Sequence, residues 1–459
     1  MHSGIVRERS PWRHHGEKMI YQDILSNPDQ WSFAVQSLGP RAEVSPLLGR
    51  QFVDDEEQIT FASQVKNIRA LMGNAKVFPA FQKAGPRAKI FHRPAHTRAG
   101  IVTCGGLCPG LNNVIKGLVK VLFHDYQVTA INGFRYGYQG LVAKYGHVPM
   151  ELTPALVDEI HKNGGTILGS SRGNQDAGAM VDTLQKMQVN LLFCIGGDGT
   201  LRGAKSIADE IARRQRPISV IGIPKTIDND LRFVEKTFGF ETAVQAADEV
   251  ITSAHNEAEG ADHGIGIVKL MGRDSGFIAA AVTLANSVVD FCLVPEIKFA
   301  LQGERGLFQA VERKLAQSHH AVIVAVEGAG QCLFAASEAK KDASGNVLKH
   351  DIGVFLKDEM GRYFKQSGRD VSIKYLDPSY HIRSVAANSA DAIFCYLLAE
   401  NAVHAAMAGR TGIVVGHWNN YFTHVPIELA TGERQKIDLD GALWNGVLSA
   451  TQQNVLLGS

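Results

Sequence analysis

Four glycine-bounded segments of this sequence hold residue types suited to phosphate chemistry. In Cys104-Gly105-Gly106-Leu107-Cys108-Pro109-Gly110-Leu111-Asn112-Asn113, successive glycines let the backbone approach a ligand and turn its amides toward it. A turn of this kind before a helix N-terminus suits an anion. It is not a Walker A loop, because no Gly-Lys-Ser/Thr follows. In Ile195-Gly196-Gly197-Asp198-Gly199-Thr200 a lone carboxylate sits between glycines. Asp198 there suits either a Mg²⁺ ligand beside phosphate oxygens or a cap for the following helix. In Pro224-Lys225-Thr226-Ile227-Asp228-Asn229-Asp230 two carboxylates lie beside a Lys and a Thr. Asp228 suits a base that takes a proton from an attacking hydroxyl, and Lys225 and Thr226 suit charge stabilisation. An Asx-rich turn explains the acids and Asn229, but not the lysine at the end of a buried strand. In Lys269-Leu270-Met271-Gly272-Arg273-Asp274-Ser275-Gly276, Arg273 offers a phosphate-binding fork or a bridge to Asp274 or Asp290. Weaker signals are Glu327, a candidate acceptor for sugar hydroxyls, and the phosphate-binding group Lys374, Tyr380, His381, Ile382 and Arg383.

The elements that must position these turns follow from an alternation of short apolar runs with longer amphipathic segments from about residue 99 onward. That alternation is βαβ logic, and near-continuous apolar strands imply a parallel sheet covered on both faces. Strands are predicted at 100–104, 190–195, 218–223, 264–270, 290–294 and 321–326. Helices are predicted at 111–123, 201–215, 242–257, 275–286, 304–317 and 389–407. In such sheets ligands bind beyond the carboxyl ends of the strands, where all four motifs lie. Residues 1 to about 95 lack this rhythm and read as an extension that packs on the body. The 389–407 helix and the tail after 423 fit either burial or an interface.

The chain has 459 residues, 45% hydrophobic and 20% charged, with a formal net charge of +1. It is long enough for two domains, and no global field marks it for nucleic acid or a membrane surface. Six scattered cysteines suit reduced thiols in a cytoplasmic protein. No apolar run reaches the roughly 20 residues that span a bilayer. The basic residues Arg7, Arg9, Arg13, His14 and His15 read as a tail rather than an address, with Met19 an alternative start. The C-terminal Leu-Gly-Ser is not a peroxisomal signal. A dehydrogenase is disfavoured, because the first turn does not supply G-x-G-x-x-G.

Taken in order, Gly-Gly-Leu-Cys-Pro-Gly-Leu-Asn, Gly-Gly-Asp-Gly-Thr, Pro-Lys-Thr-Ile-Asp-Asn-Asp and Met-Gly-Arg-Asp-Ser-Gly closely resemble the phosphofructokinase A family over roughly residues 96–425. The sequence looks like the branch with a long N-terminal extension, which includes trypanosomatid-type ATP enzymes and pyrophosphate enzymes. The resemblance implies two similar doubly wound α/β domains with an N-terminal extension. Residues 1–95 would form the extension. Residues 96–240 plus 382–430 would form the nucleotide domain, and 241–381 plus 431–459 the sugar-phosphate domain. It implies an ATP-dependent 6-phosphofructokinase acting on fructose 6-phosphate with Mg²⁺, working as a cytoplasmic homo-oligomer (dimer or tetramer).

Carried over by position, the resemblance makes Asp228 the base and Asp198 the Mg²⁺ site. Gly106, Arg172, Gly173, Asp198, Gly199 and Thr200 would contact ATP. Thr226, Ile227, Asp228, Met271, Gly272, Arg273, Glu327, Lys374, Tyr380, His381, Ile382 and Arg383 would contact the sugar phosphate, with Lys225, Thr226 and Arg273 stabilising the transferring group. Gly264 and Lys374 stand where bacterial allosteric members carry arginines, so the resemblance by itself implies neither their subunit-bridging sugar site nor their effector control. Gly199 leaves room for a nucleotide where similar pyrophosphate enzymes tend to carry a second Asp. Lys225 stands where those enzymes also carry Lys, and the steric argument from Gly199 weighs more. The alternatives are a pyrophosphate-dependent enzyme and a catalytically silent sensor of nucleotide or sugar phosphate.

Overall fold

A computed structural model describes residues 16–334 and 347–453. The basic N-terminal residues and the C-terminal Leu-Gly-Ser lie outside the described residues. Two compact units separate. In the smaller, drawn from residues up to 32 and from 62–79, helices Gly16–Ser26 and Val65–Asn74 are joined by the hydrogen bond from Asn67 Nδ2 to Tyr21 OH (3.3 Å). Asp23 accepts from Asn27 and Trp31 at 2.8 and 2.9 Å.

The larger unit holds two principal sheets. One has nine strands in the order Gln58–Thr60, Ala80–Lys83, Tyr421–Pro426, Ile413–Trp418, Ser219–Pro224, Leu191–Gly196, Arg98–Thr103, Ala130–Phe134 and Met150–Glu151. The five from Ile413–Trp418 to Ala130–Phe134 are parallel. Every residue of Leu191–Gly196 and Ser219–Pro224 is buried, as expected where helices cover both faces. The second sheet is wholly parallel, in the order Phe291–Leu293, His320–Val326, Gly264–Leu270 and Ser372–Leu376. One apolar cluster, including Phe193, Ile221 and Leu398, extends to Val268 and Val324 of the second sheet, and another, including Ile267, Phe308 and Phe364, lies on that sheet's other face.

Part of the region before residue 96 is built into the larger sheet as the two outermost strands on one side, Gln58–Thr60 and Ala80–Lys83. Asp55 anchors it between Arg87 (2.8 Å), Arg410 (2.7 Å) and Arg41. Burial would raise the Asp55 pKa, but the hydrogen bond from Arg87 and the charges of Arg410 and Arg41 prevail and bring it down to about 2. Phe33, Phe61, Phe81, Phe233 and Trp418 form an aromatic cluster with centroid separations of 5.0–6.4 Å.

Two helices set the entry to the first turn. Gly110 has φ +98°, and a Cβ there would lie 2.7 Å from Cys395 Sγ, so glycine meets both a backbone and a packing demand before helix Leu111–Lys120. Helix Ser389–Met407 packs against that helix so closely that a Cβ at Gly117 would sit 2.8 Å from the Ala399 Cβ. Phe394, Cys395, Leu398 and Ala402–Met407 are buried in the core. Asp391 accepts from the Thr242 amide (2.8 Å) and hydroxyl (2.6 Å), joining this helix to the start of Phe240–Glu259.

Candidate active site

From strand Arg98–Thr103 the chain moves to one side of the large sheet, to Ala130–Phe134. It later returns to the other side at Leu191–Gly196. That reversal opens a crevice beyond the strand ends, where ligands bind in open α/β sheets. A cleft of about 550 Å³ lies there. Its walls include Gly106, Arg172, Gly173, Asp198, Gly199, Thr200, Lys225, Thr226, Ile227, Asp228, Arg273 and Arg383. Twelve predicted site residues from six separate segments are thus brought together.

The turns are tied to each other. Lys225 is buried and donates from Nζ to the Gly106 carbonyl at 2.8 Å, linking the first turn to the third. Burial pushes its pKa down. Ser170 Oγ donates to the Gly105 carbonyl (2.6 Å), which holds the Ser171–Gly173 segment beside it. Gly197, not Asp198, caps helix Asp198–Arg213. Asp198 is therefore not engaged as the cap. Its Oδ2 accepts from Arg202 Nη2 at 2.6 Å, and burial raises its pKa against the Arg202 charge. Thr200 lies so close over Gly196 that a Cβ there would be 2.2 Å from its Oγ1. At Gly199, by contrast, a Cβ would meet nothing within 4 Å. The protein's own packing does not require that glycine, so the space beside it is cleft.

The third turn separates its two carboxylates by role. Asp230 is buried and accepts from Thr226 Oγ1 (2.9 Å) and Arg434 Nη1 (2.7 Å). Asn229, at φ +53°, holds the turn by accepting from the Thr237 amide at 2.8 Å. Asp228 Oδ1 is buried and has no hydrogen-bond partner. Burial first, and then the charge of Asp230, push the Asp228 pKa up to about 7, with Arg383 opposing. An orphaned carboxylate oxygen is costly to bury. A turn that needed its acids only for structure would satisfy this one too.

Arg273, at φ +45°, receives support through its backbone, whose amide donates to Glu327 Oε1 at 3.1 Å. The two acids weighed as structural partners for it pair elsewhere: Asp274 with Lys349 (2.6 Å) and Asp290 with Lys314 (2.8 Å). Met271, Gly272, Glu327, Lys374, Tyr380, His381 and Ile382 do not line the cleft. Met271 and Ile382 are buried in the core, Tyr380 is 84% exposed, and Lys374 lies on the surface 4.0 Å from Glu257. A Cβ at Gly272 would strike the Ser275 carbonyl at 2.4 Å, which gives that glycine a packing reason.

Arg434, Arg202 and Asn174 also line the cleft, although no motif marks them. Burial disfavours the Arg434 charge, yet Asp230, Asp228 and Asp198 raise its pKa. Six cations (Arg172, Arg202, Lys225, Arg273, Arg383 and Arg434) thus face three carboxylates (Asp198, Asp228 and Asp230). A chain of almost zero net charge therefore concentrates positive charge where an anion would bind.

Comparison with known proteins places this geometry in context. The phosphofructokinase family model matches residues 98–406. A protein of Borreliella burgdorferi named ATP-dependent 6-phosphofructokinase is 45% identical over 436 residues, covering 92% of this chain and 97% of the relative. Proteins of the same name are 49% identical in Amycolatopsis methanolica (83% of this chain, 84% of the relative) and 44% in Trypanosoma brucei brucei (87% and 82%). The crystal structure of a pyrophosphate-dependent phosphofructokinase from Marinobacter aquaeolei superposes with a TM-score of 0.63 at 20% identity. It covers 79% of this chain and 92% of that one, and at this identity it speaks to the fold alone.

Proposed function

Because the chain belongs to the phosphofructokinase family, we propose that it transfers the γ-phosphoryl group of ATP to the 1-hydroxyl of fructose 6-phosphate. The products are fructose 1,6-bisphosphate and ADP. The observation that carries this reading is Asp228: a carboxylate whose Oδ1 is buried and unpartnered, facing a cleft lined by six cations. A hydroxyl entering that cleft meets a proton acceptor with a pKa raised to about 7, close to the value at which general bases work best near neutral pH.

In this mechanism Asp228 takes the proton as the sugar oxygen attacks the γ-phosphorus in line. Lys225, Thr226 and Arg273 hold charge on the transferring group, and Arg172, Gly106 and Gly173 receive the nucleotide. Asp230, bound by Thr226 and Arg434, keeps the turn in shape. Asp198 fits a hard divalent cation: its oxygen donor is burdened by burial, and a cation beside it relieves that cost. Mg²⁺ held there would neutralise phosphate charge. The space at Gly199 supports ATP as donor, because an aspartate in that position would project into the cleft. Lys225 does not overturn this, since its bond to the Gly106 carbonyl gives it a structural task whichever donor binds.

We assign the nucleotide to residues 96–240 plus 382–430 and the sugar phosphate to 241–381 plus 431–459, in a cytoplasmic homo-oligomer. No described helix is long and apolar enough to cross a membrane. Phosphorus NMR of a reaction with fructose 6-phosphate, ATP and Mg²⁺ tests the activity. Equal amounts of ADP and a new C1 phosphomonoester are expected. Inert substrates would favour the silent sensor and overturn the assignment.

A further inference from the structure

The amino ends of the two central strands of the smaller sheet carry side chains that take no part in the cleft. Strands Gly264–Leu270 and His320–Val326 are parallel with Gly264 opposite His320. The residues just before them, His263 and His319, are therefore neighbours. Both have left-handed backbone, φ +55° and +61°, and their rings lie 5.8 Å apart. Asp262 presents one oxygen to each imidazole: His263 Nδ1 is 3.4 Å from Oδ2 and His319 Nδ1 is 3.8 Å from Oδ1. One ligand atom from each side chain lies within 4.8 Å of the others, and this is the one such grouping of three among the described residues.

These separations exceed those of N–H···O hydrogen bonds, about 2.7–3.2 Å. They do suit a shared ion. Metal–ligand bonds of roughly 2.0–2.2 Å in a tetrahedral site hold neighbouring ligand atoms about 3.4 Å apart. Two imidazoles and one carboxylate match borderline first-row ions such as Zn²⁺, Ni²⁺ or Co²⁺, whereas Mg²⁺ favours an all-oxygen set. The backbone is already in place, because register sets the two histidines side by side and Asp262 is adjacent to one of them in the chain. Binding has only to order three side-chain rotamers.

We propose that Asp262, His263 and His319 form a surface site for Zn²⁺ or a similar first-row divalent ion, with solvent completing the coordination. The site is separate from Asp198. It lies at the amino ends of strands whose carboxyl ends lead into Arg273 and Glu327, roughly 20 Å away along the strand. A bound ion pins the two strand starts together at the end of the sheet opposite the cleft. Because it binds only the folded arrangement of these three groups, it stabilises the fold by mass action.

The test uses full-length protein stripped with chelator. Cys332, an exposed thiol, is replaced by Ser throughout so that it does not bind the probe. Equilibrium dialysis against Zn²⁺ with metal analysis is expected to show one micromolar-class equivalent in the parent, weakened at least tenfold in His263→Ala/His319→Ala. Zn²⁺ is expected to raise the thermal midpoint of the parent and not that of the double variant. His319→Ala alone, at a 73% exposed side chain, keeps the test valid if the double variant folds poorly. A parent that takes up no Zn²⁺ at micromolar concentration, or a His319→Ala protein with the parent's affinity, overturns the proposal.

Discussion

Replacing Asp228 by asparagine removes a charge that the folded chain holds at a cost, so the variant is expected to be more stable and far less active. Burial and Asp230 raise the Asp228 pKa from 3.8 to about 7. The folded state then binds this proton more tightly than the unfolded state does. The sign follows: the penalty is absent below about pH 4, grows as pH rises toward 7, and is fully present above 7. At about 1.36 kcal/mol per pKa unit the full penalty is ~4 kcal/mol, a ceiling because neighbouring charges relax. Between pH 5 and pH 8 the difference amounts to roughly 2–3 kcal/mol on the same basis. Thermal midpoints of wild type and Asp228→Asn, measured at both pH values, read it directly. Any effect of losing the acid's shape or hydrogen bonds is common to both pH values and cancels in the comparison. The variant's advantage should be clearly larger at pH 8, while kcat falls by orders of magnitude and sugar affinity changes little. An equal gap at both pH values, or one larger at pH 5, would contradict the raised Asp228 pKa.

Further outcomes follow from the same geometry. Below about pH 7, kcat/KM should drop tenfold per pH unit as Asp228 takes up its proton; a profile flat down to pH 5.5 would remove Asp228 from the role of base. Gly199→Asp should leave the thermal midpoint within about 1 °C of wild type because its side chain meets open space, yet raise KM for ATP at least tenfold through charge and bulk; unchanged ATP kinetics would mean that the nucleotide does not pass position 199. Arg434→Met strips buried Asp230 of its ionic partner and should destabilise the chain by about 2–4 kcal/mol, with Asp230→Asn in the same chain restoring part of the loss; denaturation of the single and double variants checks this.

Legibility in the sequence followed the chemistry of each segment. Strand Gly264–Leu270 and helix Ser389–Met407 have the bounds their apolar runs predict. The other predicted strands and helices are present with ends shifted by a few residues. Several strands carry no such apolar run, for identifiable reasons. Ala130–Phe134 contains Asn132 and Gly133, and Ser372–Leu376 is a half-buried edge. Ile413–Trp418 runs into polar His417, and Tyr421–Pro426 carries His424, a buried imidazole whose Nδ1 lies 3.0 Å from Gln82 Oε1. Strands Gln58–Thr60 and Ala80–Lys83 are too short for any periodicity. At the cleft, the glycine turns were readable because backbone approach and charge must be encoded within a few consecutive residues. Arg434 was not, since it stands 204 positions from the Asp230 it binds and only the return of the chain brings them together. That Asp230 is satisfied by Thr226 and Arg434 while an oxygen of Asp228 is orphaned is visible only in the fold, where hydrogen bonding separates the two acids.

Initial rates with fructose 6-phosphate and Mg²⁺, comparing ATP with pyrophosphate at matched concentrations, decide which phosphoryl donor the cleft accepts. Turnover with ATP and only background with pyrophosphate is expected. Turnover with pyrophosphate and none with ATP would contradict it, and would make Lys225, not the open space at Gly199, the feature that selects the donor.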